Sequence, residues 1–279
     1  MTPLGVDIER LLEEDAGFGD LTSEALGLAG QRGRIRFAAR GGYVLAGVEI
    51  AAAMLARVGV TAEVARGSGA RIADDETFLT GEGDAAALHL AWKPSQTLVE
   101  ALSGVATAAR ALVDAVERVD ANVRVACTRK SFPGGRRLSH LAVRAGGAIL
   151  HRTGLAETVL VFAEHRAFCA DESLAALAMR LRRAAPEKKI GVEVGRVAEA
   201  CAAIAAGFDV VQLERFAPAA VAEVAGFAAG RDARPVIAAA GGVNAGNAAD
   251  YVRAGATLIV TSAPYSAPPR EVAVTIEAA

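Results

Sequence analysis

Hydrophobic and polar positions follow two different patterns along this chain, and the change falls in its middle. Before residue 100 the pattern is mixed. The spacing predicts a helix over Asp7 to Glu14 and a loop from Gly17 to Thr22, where Asp20, Thr22 and Ser23 read as a turn and helix cap. Alternation at Gly33–Arg40 and Tyr43–Ala46 predicts strands, Val48–Val58 a helix, and Thr61–Ala65 and Ala86–Ala91 further strands. Strands with few helices imply an α+β domain. A long helix from about Ser95 to Val119 then leads into the second pattern.

From Val123 short apolar runs alternate with helical stretches. Candidate strands are Val123–Ala126, Ala148–Leu150, Thr158–Phe162, Ile190–Val194, Val210–Leu213, Val236–Ala239 and Thr257–Val260. Between most of them lie helices such as Asp171–Ala184, Arg196–Ala206, Ala217–Ala229 and Ala245–Arg253. That alternation implies parallel strands with helices outside. Seven strand slots suit a TIM-like α/β barrel that is one strand short better than an open sheet. The expected division is 1–105 and 106–269, with residues 270–279, Val272–Ile276 as a strand, candidates to return to the first domain.

Composition narrows the class. Hydrophobic residues make up 53% and charged residues 22% of the 279, which is globular rather than disordered. No apolar run approaches the ~20 residues of a membrane span. The start, MTPLGVDIER, lacks an apolar signal core, so a cytoplasmic location is expected. Cys127, Cys169 and Cys201 are odd in number and far apart, and read as reduced thiols rather than a disulfide frame or zinc site. A net charge of −2 argues against general nucleic-acid binding.

The charge is unevenly spread. Between Ala121 and Ala156 stand seven Lys or Arg and no Asp or Glu, so the other 243 residues sum to −9. Pro133-Gly134-Gly135 and Gly146-Gly147 break this run, which reads as loops delivering cations to an anionic ligand. In a barrel the active site lies at the C-terminal strand ends. Reading along those ends gives Thr128-Arg129-Lys130, His151-Arg152, Phe162 with Glu164 and His165, Glu193, Glu214-Arg215, Gly241-Gly242-Val243-Asn244 and Thr261-Ser262. A Gly-Gly turn at a helix N-terminus seats phosphate through backbone N–H groups and the helix dipole. Arg129, Lys130, His151 and Arg152 suit a second anion, since Arg grips carboxylates bidentately. Glu193 and Glu214 make sense against Mg²⁺ or a ribose diol. Blander readings apply elsewhere: Arg124, Arg136 and Arg144 as solvated charges, His89 and His140 as structural, Trp92 and Phe162 as core, His165 balanced between loop and site.

Several stretches together resemble one family. They are EDAGFGDLT at 14–22, SGVAT at 103–107, TRKSFPGGR at 128–136, AVRAGG at 142–147, His151-Arg152, Val192-Glu193-Val194 and Ala240-Gly241-Gly242. The chain resembles the quinolinate phosphoribosyltransferase (nicotinate-nucleotide pyrophosphorylase) family over nearly its full length. It departs from the family at Lys93 and Phe162, where the family has Arg and Lys. Glu214 stands for an Asp, Ala240 for a Ser and Ala148 for a Gly. With ValPheAlaGluHis at 161–165 and ThrSerAlaProTyr at 261–265, the chain is similar to the ModD subgroup, associated with molybdenum transport operons.

The resemblance implies an N-terminal α/β sandwich domain plus an incomplete, seven-stranded TIM-like barrel. It implies transfer of the phosphoribosyl group of phosphoribosyl pyrophosphate (PRPP) to an aromatic acid, with Mg²⁺, and with loss of CO₂ where the acceptor is quinolinate. It also implies a homodimer or higher even oligomer in which Lys93 reaches the neighbouring site. Glu193, Glu214 and Lys130 are then the expected catalytic groups, with Glu193 and Glu214 toward the metal. Lys93, Arg129, Lys130, His151, Arg152 and Phe162 are expected at the acceptor, and Gly241, Gly242, Val243, Thr261 and Ser262 at the phosphate. Lys-to-Phe at 162 and Arg-to-Lys at 93 point to a less anionic or more aromatic acceptor. The competing reading is a barrel that binds a phosphorylated or oxyanion ligand without transfer chemistry.

Overall fold

Aspartate caps start the first two helices. In the computed structural model, which describes residues 6–231 and 234–279, Asp7 accepts from the Arg10 N–H at 3.1 Å to begin α1 (Ile8–Ala16). The first five residues of MTPLGVDIER lie outside the described residues. Asp20 accepts from the N–H groups of Thr22 and Ser23 to begin α2 (Leu21–Leu26), the cap expected from the sequence. The chain continues through β1 (Arg32–Arg40), β2 (Tyr43–Val44), α3 (Val48–Arg57), β3 (Thr61–Val64), β4 (Arg71–Ile72), β5 (Thr77–Asp84) and α4 (Ala85–Glu117). Then come β6 (Arg124–Cys127), α5 (Arg136–Ala145), β7 (Ile149–Leu150), β8 (Val159–Val161), α6 (Ala163–Arg166), α7 (Leu174–Ala184) and β9 (Ile190–Val194). The remainder is α8 (Val197–Ala205), β10 (Val210–Glu214), α9 (Pro218–Ala229), β11 (Val236–Ala240), α10 (Ala248–Arg253), β12 (Leu258–Thr261) and β13 (Glu271–Ala278).

These elements divide into two units. The first holds the described residues up to Arg110 together with Ser131–Gly147 and Pro264–Ala279. Its main sheet runs β13–β1–β5–β3, antiparallel throughout, and β2 pairs with β4. β13 lies against β1 from Gly33↔Ala278 to Arg40↔Glu271, so the chain end returns to this sheet. Phe37 and Phe78 sit 6.2 Å apart in its core beside Ile35, Leu45, Met54, Leu55 and Leu79, all at most 2% exposed.

Residues 86–91, expected as a strand, form the first turns of α4 instead. The Asp84 carboxylate accepts from the N–H groups of Ala86 and Ala87, and Ala and Leu favour helix once capped. The strand of this region is β5, whose Gly81 and Gly83 weaken any alternation signal. The SGVAT stretch is structural within this unit: Ser103 Oγ accepts from Ala46 N–H and Thr107 Oγ1 from Val44 N–H, each at 3.0 Å. A Cβ at Gly104 would lie 2.2 Å from the Pro268 carbonyl oxygen, so only glycine fits there.

The second unit comprises Ala111–Lys130 and Ala148–Ala263. Its seven strands run β7–β6–β12–β11–β10–β9–β8, parallel at every ladder. First and last strands of the set, β6 and β12, are paired, which leaves one seam between β7 and β8: a barrel lacking one strand. All seven strands lie within about a residue of the apolar runs that predicted them. Buried on both faces, parallel strands read as continuous apolar runs. Ile190–Val194 does so except at Glu193. Ala126, Ala238, Ala240 and Val260 form a small-residue cluster inside the barrel, with Val210 and Leu258 against it.

The middle of the basic run is not loop, as expected, but helix α5, in the first unit. Its polar face is broad enough for Arg136, Arg137 and Arg144 to sit on a helix that buries only Ala142 and Val143. Among the described residues no helix is long and apolar enough to cross a membrane.

Candidate active site

The C-terminal ends of the barrel strands surround a cavity of about 490 Å³. Its lining includes Arg129, Lys130, His151, Arg152, Phe162, Glu193, Glu214, Gly241, Gly242, Val243, Thr261 and Ser262. Every strand-end residue expected at the acceptor, the phosphate or the metal is therefore in one place, while Glu164 and His165 are outside its lining. Lys93 is outside it as well. It lies on α4 in the first unit, its Nζ 4.4 Å from the Trp92 ring centre and donating to Gln96 Oε1.

One side of the cavity is cationic. Arg152, 6% exposed, donates from Nη1 to the Thr158 carbonyl at 3.4 Å, and its guanidinium carbon lies 6.0 Å from the Phe162 ring centre. His151 beside it is not a cation. Burial, and then the charges of Arg152 and Arg129, push its pKa down to about 4, so it stands at neutral pH as an uncharged imidazole. Phe162 is held by His165, whose Nδ1 accepts the Phe162 N–H at 3.0 Å and whose ring stacks at 5.7 Å. His165 thus positions Phe162.

The other side is acidic. Glu193 on β9 and Gln212 on β10 are register partners, and Gln212 Nε2 donates to Glu193 Oε2 at 2.5 Å. Gln212 is 5% exposed and its Oε1 has no partner among the described residues. Burial raises the Glu193 pKa, the Gln212 donor opposes this, and the charges of Glu214 and Glu164 raise it further. Glu214 shares the face of Gln212 two residues on and lies 3.5 Å from Arg215 Nε. Arg215 takes a left-handed φ of 57° as the chain leaves the strand. Gly241, at φ 80°, faces this bend: a Cβ there would come within 2.6 Å of Glu214 Oε1. Its glycine makes room for the carboxylate.

Two expectations about the phosphate seat need correcting. The Gly-Gly turn does not sit at a helix N-terminus: α10 begins only at Ala248, and its six residues offer no dipole at the turn. Asn244 and Asn247 hold the intervening loop instead, through Asn244 N–H to Asn247 Oδ1, Gly246 N–H to Asn244 Oδ1, and both side-chain amides to the Gly242 carbonyl. Gly242 and Val243 themselves line the cavity. The Thr261 hydroxyl is committed as well, donating to the Val243 carbonyl at 2.7 Å and accepting from Ala263 N–H. It shapes the loop rather than offering a proton to a ligand.

Sequence reading missed Gln212 and passed over Asn244 as a ligand-loop brace. Gln212 carried a signal: it is a polar residue in the middle of an apolar strand and on the face of Glu214. The cysteines are free thiols, and burial pushes Cys127 up to about 12, far from reactivity at neutral pH.

Known proteins match nearly the whole chain. The description "Quinolinate phosphoribosyl transferase, C-terminal domain" fits residues 105–275 and the corresponding "N-terminal domain" residues 20–103. A Rhodobacter capsulatus protein named "Putative pyrophosphorylase ModD" is 48% identical over 246 residues, 88% of this chain and 94% of that protein. Its namesake in Escherichia coli O157:H7 is 38% identical over 273 residues, 98% of this chain and 96% of the relative. The crystal structure of NadC from Streptococcus pyogenes superposes with a TM-score of 0.91 at 24% identity, covering 100% of this chain and 99% of that one, and shares the fold.

Proposed function

The chain belongs to the quinolinate phosphoribosyl transferase family, a family of pentosyltransferases, and from that premise we propose that it transfers the phosphoribosyl group of PRPP to a ring nitrogen of an aromatic acid, releasing pyrophosphate. The observation that carries this reading is one cavity with Arg129, Lys130 and Arg152 on one side and the bonded pair Glu193–Gln212 with Glu214 on the other.

The donor set suits a magnesium-bound donor. Two carboxylates and the orphaned Gln212 Oε1 are all oxygen ligands, which a hard cation prefers. Among the described residues no cluster of three or more His, Cys, Asp or Glu is able to hold a metal alone, so the remaining ligands would be donor oxygens and water. Glu193 and Glu214 would hold the ion. When bound, Mg²⁺ neutralises charge building on the departing pyrophosphate.

The chain's own groups supply the rest. Gly242 and Val243 offer backbone N–H groups to the ribose phosphate, at the end of β11. As the C1–O bond to pyrophosphate breaks and the ring-nitrogen bond forms, positive charge grows on the ribose, and the carboxylates of Glu193 and Glu214 face it. Lys130 offsets the leaving charge. Arg129 and Arg152 fix the acceptor's carboxylate bidentately, with neutral His151 as an uncharged hydrogen-bonding neighbour. Gln212 is a positioning residue that fixes the Glu193 carboxylate and leaves its own Oε1 to the ligand. Phe162 replaces a cation at the acceptor with a ring, which favours an acceptor less anionic than quinolinate. The molybdenum association of the ModD subgroup is a matter of gene context and adds no residue to the site.

Release of pyrophosphate from PRPP and Mg²⁺, tested over a panel of pyridine and pterin acids, decides the matter. Acceptor-dependent release is expected, with quinolinate a poor member of the panel. Ordinary quinolinate efficiency overturns the acceptor preference, and release with no acid overturns the transfer itself. A homodimer with Lys93 completing the partner's cation set fits Lys93's exposed place outside the cavity. Sedimentation as a monomer sinks that part.

A further inference from the structure

A second cavity, of about 650 Å³, opens at the barrel seam within the second unit. β8 bonds only to β9 and β7 only to β6, so among the described residues no strand closes the gap between them. Val159 and Val161 from the outer face of β8, with Leu177 and Leu181 of α7, give the cavity an apolar wall. Leu155, 76% exposed, forms its rim.

This cavity adjoins the active-site cavity. Arg129, Arg152, Leu160 and Phe162 line both, and mark the neck where the two meet. The arginines farther out are already paired, Arg180 with Glu172 at 2.7 Å and Arg166 with Glu199 at 3.8 Å. Positive charge facing a ligand is therefore concentrated at the neck, where Arg129 lines both cavities and the Arg152 guanidinium stands by the Phe162 ring. Apolar walls with a few convergent polar groups are the ordinary make-up of a small-molecule site. Here Arg129 and Arg152 stand at one end, while Arg166 and Arg180 farther out are held by carboxylates, so a ligand matching both parts is amphipathic: an anionic aromatic head and an apolar tail.

We propose that the seam cavity is a binding subsite for an apolar substituent on the aromatic acid that the active-site cavity accepts. The acid's carboxylate lies at Arg129 and Arg152, its ring at Phe162, and the substituent runs past the edge of β8 between Leu155, Val161 and Leu177. The inference rests on the phosphoribosyl-transfer reading for the identity of the head group. Its own content is the second cavity and the group that fills it.

Calorimetric titration of the full chain tests it. The probes are pyridine-3-carboxylate, pyridine-2,3-dicarboxylate, and the same acids carrying a butyl group at each free ring carbon in turn. Each methylene buried from water tightens binding by about fourfold, the equivalent of ~0.8 kcal/mol. At least one butyl isomer is expected to bind about tenfold or more tighter than its parent. Leu155→Asp, at an exposed position, and Leu181→Asp, at a half-buried one, should bring that ratio toward one, with the urea midpoint of each variant checking that the fold is kept. No isomer tighter than its parent overturns the inference, as does a ratio that neither substitution changes. Pyrophosphate release, measured on the same samples, separates the two readings. Tight, substitution-sensitive butyl binding without release supports the subsite and removes the transfer reading; release with every parent acid and no gain from butyl removes the subsite alone.

Discussion

Phe37, Phe78, Leu79 and Met54 fill the antiparallel unit, each at most 1% exposed, while the barrel interior is floored by Ala126, Ala238, Ala240 and Val260. The first arrangement interlocks large side chains at close packing. The second stops short: small residues at the strand ends leave volume, and Glu193, Gln212 and Glu214 project into it from neighbouring strands. A carboxylate that the first core would not tolerate is kept in the second by a hydrogen-bond donor and by access to the cavity. The two interiors teach that burial serves stability in one case and a tuned polar surface in the other.

The largest effects should separate the two interiors cleanly. Phe37→Ala is expected to cost about 3–5 kcal/mol, read as a lower urea midpoint. Arg129→Ala should lower turnover about 10²–10³-fold, the scale for losing one preorganised charge-stabilising donor, with the midpoint close to that of the parent. If Arg129→Ala destabilises as much as Phe37→Ala, the cavity cations belong to the fold and the comparison collapses.

A smaller effect sharpens it. Glu193 acts ionised, so activity falls as pH drops through its pKa. Burial already holds that pKa above the ordinary glutamate range, and the Gln212 donor works against the rise. Gln212→Met fills the same space without the donor, so the pKa climbs and the acidic limb of the kcat–pH profile moves to higher pH. A limb that stays in place, or moves lower, shows that Gln212 only packs.

Much of the barrel was legible because its strands are buried on both faces and each is a short apolar run with polar residues at its C-terminal end. Arg129, His151, Arg152, Glu193 and Glu214 stand in or directly after such runs, and finding them needs only the rule that sites sit at strand ends. The first unit was less legible. Its strand over Thr77–Asp84 carries two glycines, and the Ala86–Ala91 stretch alternates by accident while Asp84 caps it into a helix. Likewise the glycine turn resembled a helix start, whereas Asn244 and Asn247 hold a loop there.

Sequence alone determined the number and order of barrel strands, the set of residues at their ends and the family likeness, because periodicity and motif spacing are local properties of the chain. Tertiary structure alone decided what those residues are. Desolvation between two guanidiniums makes His151 neutral, register across β9 and β10 brings Gln212 onto Glu193, and a loop carbonyl takes the Thr261 hydroxyl. The seam cavity, too, exists only because β7 and β8 fail to pair. Charge state and hydrogen-bond partners depend on groups far apart in sequence, and only folding sets their distances.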